Sequence, residues 1–243
     1  FGVTFLAVAT GLTDEGPDLG STGVVTLRLP RVAVAFGEPV SPTSYGATAH
    51  LFEGVLGLPF TPIRPTSLSD ADLARYNVLI LPDAAGSPGY NEYIGSKGLE
   101  RIKSWIEGGG TLVTLRRASS YAAAKESGLT TVKRLVKPGV RPGEATAGAN
   151  QAGGGQGGAE QTQTPDPVPG AILRVVIESS RYLGFGYGRE GAVMVNSDLV
   201  FSPSAEGTNV ITFAAKDRLR LARFLWDESA HILAGAAYLV ESE

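Results

Sequence analysis

"GGGTLVTLRRASSYAAA", residues 108–124, decides how the chain is read. Three glycines release an apolar run, Thr111 to Leu115, and the chain then turns at Arg116, Arg117 and Ala118 into a stretch of helical composition. A sharp strand-to-helix turn of this kind is where many α/β enzymes present a nucleophile. Here two arginines stand in its place.

Upstream, "YIGSKGLERIKSWIEGGG" sets Leu99, Ile102, Trp105 and Ile106 on one helical face and ends in glycines suited to a C-cap. Before it, "NVLILPD" is a continuous apolar run closed by Asp83, and "RVAVAFG" from Arg31 is another, as expected of strands buried on both faces of a parallel sheet. Between them, "SPTSYGATAHLFEGVLGLP" predicts a helix with Tyr45, Ala49, Phe52, Val55 and Leu56 at helical spacing, closed by Pro59. A β-segment is expected from Phe60 to Arg64. "SLSDADLARY" then predicts a short helix capped by Ser69, with Asp72 at its third position. Strand and helix alternating in this way indicate an α/β fold with a doubly wound, mostly parallel sheet.

The flanks divide the chain further. Residues 1–30 read as a β lead-in or linker from a preceding domain, with two short β-segments around a Gly/Asp-rich turn. Residues 31–137 form the first part of the α/β domain. Residues 138–170 hold nine glycines, five prolines and no aromatic residue, too little apolar surface to offset the entropy of ordering, and predict a disordered insertion. Residues 171–243 carry the remainder of the domain: "AILRVVIES", a Gly/Tyr turn "YLGFGYGREG", strands at "AVMVN" and "NVITFAA", a helix or loop at "KDRLRLARFLWDE", and "ILAGAAYLVES". A start at Phe1 and a strand at the end read as a piece of a longer protein, truncated at its C-terminus.

Composition removes several function classes. Lys and Arg total 21 against 24 Asp and Glu, a formal charge of −3 with no basic stripe, which argues against a nucleic-acid partner. There is no cysteine, so the chain has no disulfide, thiolate metal site or Cys nucleophile. No apolar run reaches the ~18 residues of a membrane span.

With these elements placed, "RVAVAFG", "NVLILPD", "GLERIKSWIEGGGTLVTLRRAS" and "ILAGAAYLVES" together resemble the class I glutamine amidotransferase-like, flavodoxin-like domain that follows the catalytic domain in bacterial zinc carboxypeptidases of the carboxypeptidase A-like family. The resemblance covers residues 31 to 135 and, more loosely, 171 to 243. It implies a non-catalytic accessory domain supporting a peptidase domain of the same chain, with zinc in that preceding domain, no cofactor here, and a secreted or periplasmic location. Working amidotransferases of this class present a Cys at the turn, completed by a His and a Glu. The resemblance sets Arg117 near the nucleophile's place.

The remaining candidates are weighed on their residues. Ser119 or Ser120 with His231, and with Asp198 or Asp227, could form a hydrolase triad; a helix-capping role for the serines is preferred, because no Gly-x-Ser-x-Gly frames them. Arg116 and Arg117 could bind a small anion beside Asp83, or pair with it structurally. "HLFE", His50 to Glu53, has metal-ligand spacing but lies inside the expected helix, so no metal site is assigned. "GFGYGREG" lacks the Lys-Ser/Thr end of a phosphate loop. Its aromatics Tyr182, Phe185 and Tyr187 are expected to pack the turn, with sugar or peptide binding as the alternative.

Overall fold

The computed structural model describes residues 7–22, 29–86, 89–135 and 167–242. Four short strands, β1 (Val32–Ala35), β2 (Phe60–Ile63), β3 (Val78–Leu81) and β4 (Thr111–Thr114), form a wholly parallel sheet in the order β2-β1-β3-β4. Because β1 leads to β2 on one side and the chain then returns to β3 on the other, the C-terminal ends of β1 and β3 flank the topological switch point. Ligands of open α/β sheets bind in that crevice.

Both faces of the sheet are covered, which explains its unbroken apolar runs. Ala33, Ala35, Leu79 and Leu81 pack with Ile94 and Ile102 of α2 (Tyr90–Glu107). Val32, Val34 and Ile80 face Tyr45 of α1 (Pro42–Ala49) and Phe52. The expected face of α2 is present, with Ile102 buried and Leu99, Trp105 and Ile106 packed beside it. This is the doubly wound sheet read from the sequence.

Two local expectations are corrected. The helix expected through residue 56 stops at Ala49 and continues as a π-helical turn, His50–Leu56, whose wider period carries Val55 to 64% exposure and leaves Tyr45 and Phe52 on the sheet. Ser69 is not a cap. It ends the 3₁₀ turn Pro65–Ser69 and donates to the Thr66 carbonyl, while Asp72 caps the next turn, Leu73–Arg75, by accepting from Ala74 N–H at 3.2 Å.

After β4 the chain enters α3 (Arg117–Ala122). Residues 136–166, most of the expected insertion, lie outside the described residues, as do the two β-segments expected in the lead-in. The insertion's last residues are part of the fold: Val168 is buried and its N–H donates to the Ser197 carbonyl. From Ala171 an antiparallel sheet is added, with β6 (Glu190–Val195), β5 (Ala171–Ile177), β7 (Thr208–Phe213) and β9 (Ala237–Glu241) in that order. Strand β8 (Arg220–Ala222) also pairs with β5. Leu173, Val175 and Phe213 form its core with Leu219 of α4 (Lys216–Leu219) and Leu233 of α5 (Asp227–Leu233). Strands β5 and β6 alternate more and less buried residues, as expected of a sheet covered on one face.

Two substitutions test this packing. Leu79→Ala removes a fully buried side chain between the strands and α2, and urea denaturation should show a loss of about 2–5 kcal/mol. A Cβ at Gly110 would lie 2.3 Å from the Trp105 ring, which is tethered by its Nε1–H to the Tyr76 carbonyl at 3.1 Å. Gly110→Ala should therefore lower stability by about 1–3 kcal/mol, read from the denaturation midpoint.

Candidate functional site

The C-terminal edge of the parallel sheet is built from the ends of β1, β3 and β4. The loop after β1 is fastened to the end of β3: Ser41 N–H donates to the Asp83 carbonyl at 2.8 Å, and Asp83 N–H donates to Ser44 Oγ at 2.9 Å. The Tyr90 hydroxyl donates to the Pro82 carbonyl at 2.8 Å, and its phenol is pushed well above the usual range by burial and by the charge of Asp83. Asp83 is thus fixed from three sides before its carboxylate is used.

That carboxylate organises the turn from β4 into α3. Arg116 has φ 54° and ψ −112°, a left-handed conformation that strains any residue with a Cβ. Its Nε lies 2.8 Å from Asp83 Oδ2, its Nη1 donates to Asn196 Oδ1 at 3.0 Å, and the backbone N–H of Arg117 donates to Asp83 Oδ1 at 3.1 Å. Ala118, with no exposed surface, is the small residue that lets the first turn of α3 close against the core. The strained strand-to-helix turn read from the sequence therefore exists here without flanking glycines. Its strained residue is Arg116, next to Arg117, which the resemblance set near the nucleophile's place.

A second carboxylate extends the cluster. Asp198 Oδ1 lies 3.7 Å from Nη2 of Arg117, and its Oδ2 accepts from Nη2 of Arg134 at 3.0 Å. Three guanidiniums thus face two carboxylates. Asn196 and Arg134 were not among the sequence candidates, and Asp198 was considered only as a triad partner. The contacts span 64 to 81 residues of chain, and no local pattern marks them.

Arg116, Arg117 and Asp83 come together as a group; the proposed triad does not. Ser119 Oγ, inside α3, donates to the Thr114 carbonyl at 3.1 Å, and Ser120 Oγ is buried with no partner, so neither serine caps the helix. His231 stands on α5 with its Nε2 2.6 Å from Lys216 Nζ and 3.5 Å from Asp227. Lys216 in turn holds the Asp227 carboxyl below its ordinary range. No hydrogen bond among the described residues links either serine to His231. Tyr121, beneath the elbow, has its phenol pushed up to about 12 by burial, which leaves it neutral and unsuited to proton transfer at pH 7.

His50 opens the π-helical turn with its ring over Gly54, where a Cβ would lie 2.7 Å from Nδ1. Among the described residues no three His, Asp or Glu side chains are grouped to hold a metal ion, and no helix is long and apolar enough to cross a membrane. The aromatics of "GFGYGREG" do not pack the turn as expected: Tyr182, Phe185 and Tyr187 are 72%, 81% and 67% exposed.

Chemically, the elbow can bind charge and cannot attack a carbonyl. A guanidinium stays protonated and is no nucleophile. The Arg117 N–H, the donor that would stabilise an oxyanion after a nucleophile at position 116, is already given to Asp83.

No protein-family model and no curated protein matches the sequence. Solved structures do match. A glutamine amidotransferase from Thermotoga maritima superposes with a TM-score of 0.51 at 10% identity, over 80% of this chain and 70% of that one. A candidate GMP synthase component from Thermoplasma acidophilum gives a TM-score of 0.46 at 13% identity, over 77% and 75%. A glutamine amidotransferase from Methylobacillus flagellatus gives 0.43 at 12%, over 76% and 61%. At these identities the similarity is one of fold, and the chain has the α/β fold of the class I glutamine amidotransferase-like domains, with an arginine at its elbow.

Proposed function

We propose that this chain is a non-catalytic amidotransferase-like accessory domain of a larger zinc-metallocarboxypeptidase-like protein, secreted or periplasmic, in which it packs against and supports a zinc-holding peptidase domain. The observation that carries the non-catalytic reading is Arg116: the elbow keeps its strained backbone while its side chain is held by Asp83 and Asn196 and its neighbouring amide is consumed. The peptidase context rests on the sequence resemblance and supplies the expected partner. Within it the elbow serves as a rivet between the parallel sheet and the loop after β6.

A second reading has its own support. Arg117 is 3.7 Å from Asp198 and about half exposed, so its guanidinium retains capacity for a carboxylate or phosphate from a ligand. Calorimetry with acidic sugars and acidic peptides should give heat that Arg117→Ala abolishes if this edge binds small anions; no heat excludes it.

The accessory reading is tested by assaying this chain beside a version extended through the preceding domain, with glutamine and with peptides bearing free C-termini. The chain alone should hydrolyse neither and retain no zinc after dialysis, while the extended protein carries zinc and trims the peptides. Peptidase activity with bound zinc in the chain alone would overturn the proposal. The rivet has a thermodynamic signature. In a double-mutant cycle, Arg116→Ala and Asp83→Ala should couple by about 1 kcal/mol. Arg116→Gly should be less destabilising than Arg116→Ala by about 1 kcal/mol, because glycine relieves the positive φ. Equal losses in urea melts would mean that the backbone at 116 is unstrained.

A further inference from the structure

The β5–β6 hairpin carries a feature that the accessory reading does not use. Its loop exposes Tyr182, Phe185 and Tyr187 almost as fully as an unfolded chain would, yet the loop is built and not loose. A Cβ at Gly184 would lie 2.4 Å from the Glu178 carbonyl oxygen, so the backbone there is pressed against the end of β5, and Gly186 takes φ +87° to turn the chain outward. Glu178 accepts from both N–H and Oγ of Ser180, and the Glu178 N–H donates to the Val210 carbonyl. A pinned backbone therefore presents three aromatic rings to solvent, an arrangement that loses apolar burial which a ligand would recover.

Beside this loop lies a polar cavity of about 560 Å³ whose walls include Thr130, Thr131, Arg181, Glu206, Thr208 and Glu241. The two features are joined, since the Tyr182 hydroxyl hydrogen-bonds Glu241 on the cavity wall. The cavity offers carboxylates, hydroxyls and a guanidinium, donors and acceptors that match a ring of vicinal hydroxyls. The neighbouring rings offer flat apolar faces that match the axial C–H face of a pyranose. Its volume falls within the range of small-molecule sites.

We propose that the β5–β6 loop and this cavity form a binding site for a neutral pyranose oligosaccharide, one sugar ring held over the polar cavity and its neighbours stacked on the exposed aromatic rings. Charge decides against an anionic lipid surface as the partner of the same rings: Arg181 and Arg189 of the loop are offset by Glu178, Glu206 and Glu241. The assignment is independent of the peptidase context, because every residue in it belongs to this chain.

The test is titration of the chain with cellohexaose and with N-acetylchitohexaose, by calorimetry and by amide chemical shifts of residues 178–189 and 204–208. At least one sugar should bind, with shifts confined to those segments. Phe185→Ala, which removes an exposed ring and leaves the fold intact by circular dichroism, should weaken binding about tenfold. Glu206→Gln should weaken it severalfold. Binding of neither sugar, or binding that both variants leave unchanged, would overturn the proposal. So would sedimentation with phosphatidylglycerol vesicles that Phe185→Ala abolishes, which would assign the rings to a membrane surface.

Discussion

The carboxylate of Asp83 is the contact on which the C-terminal edge of the sheet depends. One of its oxygens holds the Arg116 guanidinium and the other accepts from the Arg117 amide, so a single side chain at the end of β3 sets both the backbone and the side chain of the turn after β4. The left-handed conformation at Arg116 costs roughly 1–3 kcal/mol. A hydrogen bond to a charged group contributes about 1.5–3 kcal/mol, and that range must be discounted here because the Arg116 side chain is half exposed. Two bonds to Asp83 and one to Asn196 together are of the size needed to offset the strain.

The same arithmetic explains why the cluster reaches into the second sheet. Asn196 and Asp198 follow β6, and Arg134 itself forms a bridge to Phe201. The antiparallel sheet thus docks on the edge where a doubly wound fold ordinarily leaves room for a ligand. Docking there fills part of that crevice with ion pairs whose guanidiniums remain about half exposed at Arg116 and Arg117. The excess guanidinium sits at Arg117, the most weakly paired member.

Much of the parallel half was legible because its signals are local. Continuous apolar runs marked β1 and β3, helical spacing marked α2, and the glycines from Gly108 marked its end. Asp83, Arg116 and Arg117 could be grouped because all three lie at strand ends of one sheet. What stayed hidden has physical reasons. The π-helical turn after Ala49 changes the period on which a helical face is counted. The closure of the elbow by a buried Ala118 and a fixed Asp83 depends on packing and on a contact across strands, which the local sequence does not display. Asn196 and Arg134 act across the fold, where spacing along the chain carries no information. The aromatics of the β5–β6 loop were expected to pack the turn, and they stand in solvent where the backbone is pressed against the end of β5 at Gly184.

A strained residue by itself does not mark a working site, and this chain offers an internal comparison. Among the described residues two non-glycines have positive φ, Arg116 and Arg223, and both sit just beyond strands. The side chain of Arg223 makes no hydrogen bond or ion pair among those residues; its turn instead leads into Phe224 and Trp226, whose rings meet edge to face at 4.6 Å. Leu225, two positions on, is buried in the second core, so the turn at Arg223 is followed by an apolar anchor and not held by its own head group. At Arg116 the head group itself carries the compensation. The distinction matters for how the elbow is understood: a turn shape suited to presenting a nucleophile is stable in this chain only because charged partners hold it, so the partners, and not the reactivity of the position, are what the geometry at residue 116 now requires.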